Sequence, residues 1–157
     1  MENFANASDK NYIKEKLHAG NKEPFGLDFI TEETKFLIIT EGEFDAMSIA
    51  QSVDNSAITP IGIGGAAEKR FIDFIDKKIL GDEKLKSIII FDNDDTGKKD
   101  AEKLCKIMIE RGYPTVVAFL SDGDEKVDAN DILQHSDGSF ELADLILGII
   151  NEIYNLI

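Results

Sequence analysis

Short apolar runs alternate along the chain with longer segments in which apolar residues recur every three or four positions. Such runs are typical of strands buried on both faces, and the periodic segments are typical of amphipathic helices. The predicted strands are residues 36–40, 57–61, 87–91 and 115–119, and the predicted helices are residues 44–53, 71–79, 96–111, 132–135 and 141–157. This alternation predicts an α/β fold with about four mainly parallel strands and helices on both faces of the sheet.

The beginning of the chain has a different composition. Residues 1–30 are polar and rich in Asn and Lys, with Gly20 and Pro24 as breakers of regular structure. We interpret them as a lead-in or linker whose last apolar residues, 25–30, could dock on the rest of the protein. Residues 31–157 are then expected to form one domain, which suits a chain of 157 residues.

Composition excludes several classes of protein. The formal net charge of −14 argues against binding nucleic acid through a broad basic face. An acidic protein can still bind nucleic acid if its carboxylates hold cations, because the cations then contact the phosphates. Cys105 is the single cysteine, which excludes a disulfide or a multi-cysteine zinc site within the chain. The sequence has no apolar stretch long enough for a membrane span and no signal-peptide core, so we expect a cytoplasmic protein.

Acidic residues follow directly after two of the predicted strands. Asp92 and Asp94 follow the third strand, and Glu41 follows the first. Side chains two residues apart in extended backbone point to the same side. The carboxylates of Asp92 and Asp94 would therefore repel each other unless a cation lies between them. Ligands of open parallel sheets bind beyond the carboxyl ends of the strands, where Glu41 would face the pair if the two strands are neighbours. An Asp that only caps the next helix is the structural alternative, and for Asp95 it is the one we favour.

Four segments, in this order, resemble the TOPRIM domain shared by primases, topoisomerases, nucleases and recombination mediators. They are residues 39–47 (ITEGEFDAM), 62–66 (GIGGA), 91–97 (FDNDDTG) and 128–133 (DANDIL). The first, third and fourth are similar to motifs of bacterial and phage primases and primase–helicases, and the resemblance covers about residues 25–133. Val127 stands where those primases usually have a basic residue, which removes the basis for a phosphate contact at that position.

The resemblance implies a Rossmann-like fold and a Mg²⁺-dependent nucleotidyl transfer, with Mn²⁺ as an alternative ion, in RNA primer synthesis during DNA replication. It implies that Asp92, Asp94 and Asp128 coordinate the metal and that Glu41 acts as a ligand or as the general base. Glu43 and Asp45 are expected only to cap or solvate the following helix. Expected contacts to nucleotide phosphates are Gly42, Gly64, Gly65, Lys69, Arg70 and Gly97. For Lys69 and Arg70 a solvated helix face is an equal alternative.

Two other functions remain open from the sequence. A TOPRIM-type nuclease would use similar acids and metals, and a non-catalytic adaptor would use the fold to bind DNA or proteins. The expected partners of a primase domain are a single-stranded DNA template, nucleotides, and a helicase or further primase domains. Primases of this type carry a zinc module and a basic subdomain, for which this sequence has no candidate, so we expect it not to prime efficiently alone. The apolar stripe of the last helix predicts either packing on the sheet or an oligomer contact.

Overall fold

The computed structural model describes residues 23–64, 68–78, 84–121, 127–135 and 137–154, without the side chains of residues 68–70 and 154. Its strands and helices in chain order are β1 (Phe36–Thr40), α1 (Glu43–Ser52), β2 (Ile58–Gly62), α2 (Glu68–Lys78), β3 (Lys86–Ile90), α3 (Asp95–Glu110), β4 (Thr115–Val117), α4 (Ala129–Leu133) and α5 (Gly138–Tyr154). A 3₁₀ turn, Leu27–Phe29, precedes β1. Within these ranges no helix has the length and apolar character needed to cross a membrane.

The four strands form one parallel sheet in the order β2-β1-β3-β4. From β1 the chain passes to β2 on one side and later to β3 on the other, so the direction of winding reverses between β1 and β3. Thr40 of β1 pairs with Ile90 of β3, so the two strands end at the same level. We call this end of the sheet the carboxyl edge. The predicted α/β fold is confirmed, and the condition under which Glu41 would face the Asp pair, that the first and third strands are neighbours, is met.

Alternate residues of the central strands enter two separate apolar layers. Leu37 and Ile39 of β1 pack in one layer with α2 and α3. Phe36 and Ile38 pack in the other with α1, α4 and α5. Every residue of β1 is buried, which explains why its sequence is a continuous apolar run rather than an alternating one. Each fully buried aliphatic side chain contributes about 1.5–3 kcal/mol, so these two layers dominate the stability of the fold.

Helix α4 begins earlier than the sequence predicted. The predicted bounds of this helix, residues 132–135, were wrong, because α4 spans Ala129–Leu133. The reason is a capping box: Asp128 Oδ1 accepts a hydrogen bond from the Asp131 amide at 2.7 Å, and Asp131 accepts one from the Asp128 amide at 3.4 Å. Helix α5 likewise begins at Gly138 rather than at residue 141. Residues 122–126 of the predicted acidic loop lie outside the described part of the chain.

The end of the predicted lead-in packs against the edge of the sheet. Phe25 exchanges two backbone hydrogen bonds with Gly62 of β2, at 2.9 and 3.1 Å, and Leu27 is buried in the layer of α2 and α3. Pro60 in the middle of β2 has no amide hydrogen to offer a further strand. This edge is therefore protected against pairing with another chain. Residues 1–22 of the predicted lead-in lie outside the described part of the chain.

Candidate metal centre

The turn from β1 into α1 holds Glu41 at the carboxyl edge. The Thr40 hydroxyl donates a hydrogen bond to the Gly42 carbonyl at 2.8 Å, which fixes the turn from inside. The Gly64 amide donates to the Glu41 carbonyl at 3.0 Å, so the loop after β2 is tied to the same turn. Glu41 itself is exposed. Its side chain therefore starts from a fixed backbone position and is accessible to a ligand.

The turn from β3 into α3 holds the predicted Asp pair. Asp92 is half-buried, and Asp94 is exposed and caps α3. Asp94 Oδ1 accepts hydrogen bonds from the amides of Thr96 and Gly97, at 3.0 and 2.8 Å. Between the two acids, the Asn93 amide group donates to the Ser121 carbonyl at 3.2 Å and ties this turn to the exit of β4. Helix capping, which was expected for Asp95, is thus performed by Asp94 and leaves the Asp94 carboxylate at the helix start.

Gly97 is needed for the approach of α3 to Asp92. A methyl group at Gly97 would collide with the Asp92 carbonyl oxygen and lie 3.2 Å from Asp92 Cβ. The backbone of Gly97 is not in the left-handed region. The glycine is therefore not required by its backbone conformation. It is required because α3 packs closely against the backbone of Asp92, a predicted metal ligand.

Asp45 joins the predicted acids from α1. Its Oδ1 accepts a hydrogen bond at 3.4 Å from the amide of Asn130, in the first turn of α4. The pKa of Asp45 is raised to about 6, first by burial and then by the negative charges of Asp128 and Asp92, while hydrogen bonds from the backbone of α4 act in the opposite direction. The negative charges of Asp128 and Asp92 thus lie near enough to Asp45 to disfavour its ionised form.

Sequence reasoning missed the place of Asp45. The expectation was that Asp45 caps or solvates α1, whereas its hydrogen bond goes to α4, 85 positions later in the chain. No local pattern signals a contact over that separation. The one local hint is Gly42, because a methyl group there would lie 3.0 Å from Asp45 Oδ2.

The predicted phosphate contacts are described only in part. Gly64 has a left-handed backbone, with φ of 59°, and a methyl group there would collide with the Glu43 carboxylate. Gly42 stands at the start of α1. Gly65 and the side chains of Lys69 and Arg70 lie outside the described part of the chain, although the backbone of the last two belongs to α2.

A second acid shows the opposite behaviour at the other end of the sheet. Asp76 accepts hydrogen bonds from Tyr113 at 2.5 Å and from Lys84 and Arg111, each at 3.1 Å. Burial raises the pKa of Asp76, but the bonds from Tyr113 and Lys84 outweigh it and lower the pKa. The negative charge of Asp76 is balanced by the positive charges of Lys84 and Arg111, whereas Asp45 lies near other acids.

An open groove of about 710 Å³ lies away from the acids of the carboxyl edge. It is lined by the start of β2, the loop after α1 and residues 29–33. The candidate centre is thus an open surface at the carboxyl edge rather than part of this groove.

The donor set suits a hard cation that keeps part of its water. Among the described side chains, no three His, Cys, Asp or Glu are grouped so that they could hold a metal ion by themselves. Mg²⁺ rarely uses such a cage, because it is usually bound by one or two carboxylates, several waters and the phosphates of the substrate. A cation at this edge would offset the negative charges of Asp128 and Asp92 that disfavour the ionised form of Asp45. The residues present therefore fit a divalent metal.

A family model described as Toprim-like matches residues 38–133, which is more than half of the chain and runs from β1 to α4. The chain belongs to the Toprim-like family. TOPRIM domains are metal-binding, usually catalytic domains of primases, nucleases and topoisomerases, and they act on nucleic acids through divalent ions, usually Mg²⁺. The searches of curated proteins and of solved structures returned no match.

Proposed function

We propose that this Toprim-like chain is the Mg²⁺-dependent catalytic domain of a DNA primase or primase–helicase, which performs nucleotidyl transfer in RNA primer synthesis. The observation that carries the proposal is the hydrogen bond from the Asn130 amide to Asp45, which brings the fourth motif beside the first. The raised pKa of Asp45, to which the charges of Asp128 and Asp92 contribute, agrees with it. Asp128 begins the Asp-Ala-Asn segment that resembles a primase element, and Asn130 of that segment is bonded to Asp45. This contact supports the assignment of the primase-like segment and the strand-end acids to one site.

Each acid has a role that follows from its position. Asp92, Asp94 and Asp128 would hold the metal, which supplies charge neutralisation on the phosphates when bound. Asp94 and Asp128 are each oriented by the helix start that they cap. Glu41 is exposed on a fixed turn and would accept the proton of the attacking 3′-hydroxyl or add a further ligand. Asp45 adds negative charge beside Asp92 and Asp128 and links α1 to α4.

The proposal is tested by supplying the chain with ribonucleoside triphosphates, Mg²⁺ and a labelled single-stranded DNA template. We expect slow, template-dependent formation of short oligoribonucleotides. Asp92→Asn should reduce it by about 100-fold or more, a size typical of losing one electrostatic contact to the transition state. Asp95→Asn is the matched control, because Asp95 is exposed in the same turn and is not one of the predicted ligands.

The same reaction separates the alternatives. Metal-dependent cleavage of the labelled template without any oligoribonucleotide would contradict the primase proposal and identify a nuclease. Binding of the template with neither reaction would identify a non-catalytic adaptor.

A further inference from the structure

We propose that Phe44 and Met47 form a platform on which a nucleobase of the bound nucleic acid stacks, next to the acidic centre. The proposal rests on the proposed action of the chain on nucleic acid and adds a base-binding surface to it.

Both side chains are exposed although both are apolar. Phe44 is 73% exposed and Met47 is 48% exposed. They lie three positions apart on α1 and therefore share one face of the helix. Neither belongs to the apolar layers of the sheet. Packing within the described part of the fold thus does not account for an aromatic ring at this position.

The position of Phe44 in the fold places it at the carboxyl edge. Phe44 lies in the first turn of α1, immediately before Asp45. Side chains of a helix tilt toward its amino end, and the amino end of α1 lies at the carboxyl edge. The Ser48 hydroxyl donates to the Phe44 carbonyl at 2.9 Å, which adds a bond to this first turn. The backbone that carries the ring is therefore hydrogen-bonded within the helix and adjoins Asp45 at the carboxyl edge.

A nucleobase is the occupant that the charge of the site favours. The family acts on nucleic acids through metal ions, so the phosphates come to the carboxyl edge. With a net charge of −14, the chain has little basic surface for further phosphate contacts. Stacking of a base on an aromatic ring needs no charge and contributes about 1–3 kcal/mol per base. A thioether beside the ring extends the polarizable surface.

The chain contains no tryptophan, so Phe44→Trp introduces a single fluorescent reporter. We expect oligothymidylate, added with Mg²⁺, to quench its emission. An abasic oligonucleotide of the same length should quench it far less. Phe140→Trp is the matched control, because Phe140 is 79% exposed in the first turn of α5, and its emission should not change.

Binding of the same oligonucleotides gives the second readout. Phe44→Ala should weaken the binding of oligothymidylate about 5- to 150-fold, which corresponds to the stacking of one base, and should leave the affinity for Mg²⁺ unchanged. Phe140→Ala should bind as the wild type does.

The outcomes separate the two proposals. Wild-type protein that binds oligothymidylate no better than Phe44→Ala does would overturn the platform and leave the proposed function standing. Equal quenching by the abasic oligonucleotide, or a change of emission with protein concentration alone, would also overturn it, in favour of a backbone contact or self-association. Wild-type protein that neither binds nor elongates nucleic acid would overturn the proposed function first.

Discussion

Asp45 and Asp76 are the same type of residue in opposite surroundings. Asp76 accepts bonds from Tyr113, Lys84 and Arg111 and has a lowered pKa. Asp45 is half-buried near two other acids and has a pKa raised to about 6. A carboxylate that the fold keeps in such surroundings is more typical of a functional site than of a structural one.

This difference predicts a pH-dependent effect of Asp45→Asn on the metal-free protein. Because the folded-state pKa, about 6, exceeds the ordinary value of 3.8, ionised Asp45 destabilises the fold fully above pH 6, and this cost disappears as the pH falls toward 4. Asn should therefore raise the free energy of unfolding at pH 7.5 by about 1 kcal/mol, after allowance for solvent screening, and by much less at pH 4.5. Urea unfolding in the presence of a chelator measures both values.

The control for this variant is Asp54→Asn, an exposed acid after α1 at the opposite end of the helix. It should leave stability almost unchanged at both pH values. A gain for Asp45→Asn that is the same at pH 4.5 and at pH 7.5 would contradict the assigned surroundings of Asp45.

Asp94 combines a structural and a proposed metal-binding role, and two substitutions separate them. Asparagine keeps an oxygen that can accept the amides of Thr96 and Gly97, so Asp94→Asn should unfold near the wild-type temperature while its metal affinity falls. Alanine removes the cap as well, and Asp94→Ala should lose about 1 kcal/mol of stability in addition. Thermal unfolding and metal titration of both variants test this, and equal stability of the two would show that the cap contributes nothing.

Among the elements, the approach of α3 to the end of β3 depends on one glycine. Gly97→Ala would drive a methyl group into the Asp92 backbone, so we expect a loss of about 1–3 kcal/mol together with weaker metal binding. Gly148→Ala is the matched control: Gly148 lies inside α5 with no atom near its would-be methyl group, and the change should gain about 0.5–1 kcal/mol. Chemical unfolding measures the stability of both variants. A Gly97→Ala variant as stable as the wild type would show that α3 shifts to accommodate the methyl group and would contradict the prediction.

The elements also show what local sequence can and cannot predict. The strands were predictable because burial on both faces requires continuous apolar runs, as in Phe36–Thr40. The places of Glu41 and Asp92 followed, since parallel strands end at one edge. The start of α4 was not predictable from apolar periodicity, because the Asp128 capping box determines it. Asp45 was not predictable, because its partner Asn130 is brought to it only by the packing of α1 against α4.

At the scale of the whole molecule, the two ends of the sheet differ in chemistry. One end carries the neutralised cluster of Asp76, Tyr113, Lys84 and Arg111. The carboxyl edge carries Glu41, Asp92, Asp94 and Asp128, joined by Asp45. The net charge of −14 argues against a broad basic face for nucleic acid, and we propose that cations at the carboxyl edge are the main route to phosphates. We therefore expect efficient priming to need a basic surface from another domain or protein.

The central claim is that the acids at the carboxyl edge hold a divalent metal. Calorimetric titration of Mg²⁺, repeated with Mn²⁺, into the wild type and into the Asp92→Asn/Asp94→Asn double variant tests it most directly, with Asp95→Asn as the control. We expect wild-type and control proteins to bind alike and the double variant to bind at least about tenfold more weakly, a difference of about 1.4 kcal/mol. A folded double variant that binds both ions as well as the wild type does would contradict the site.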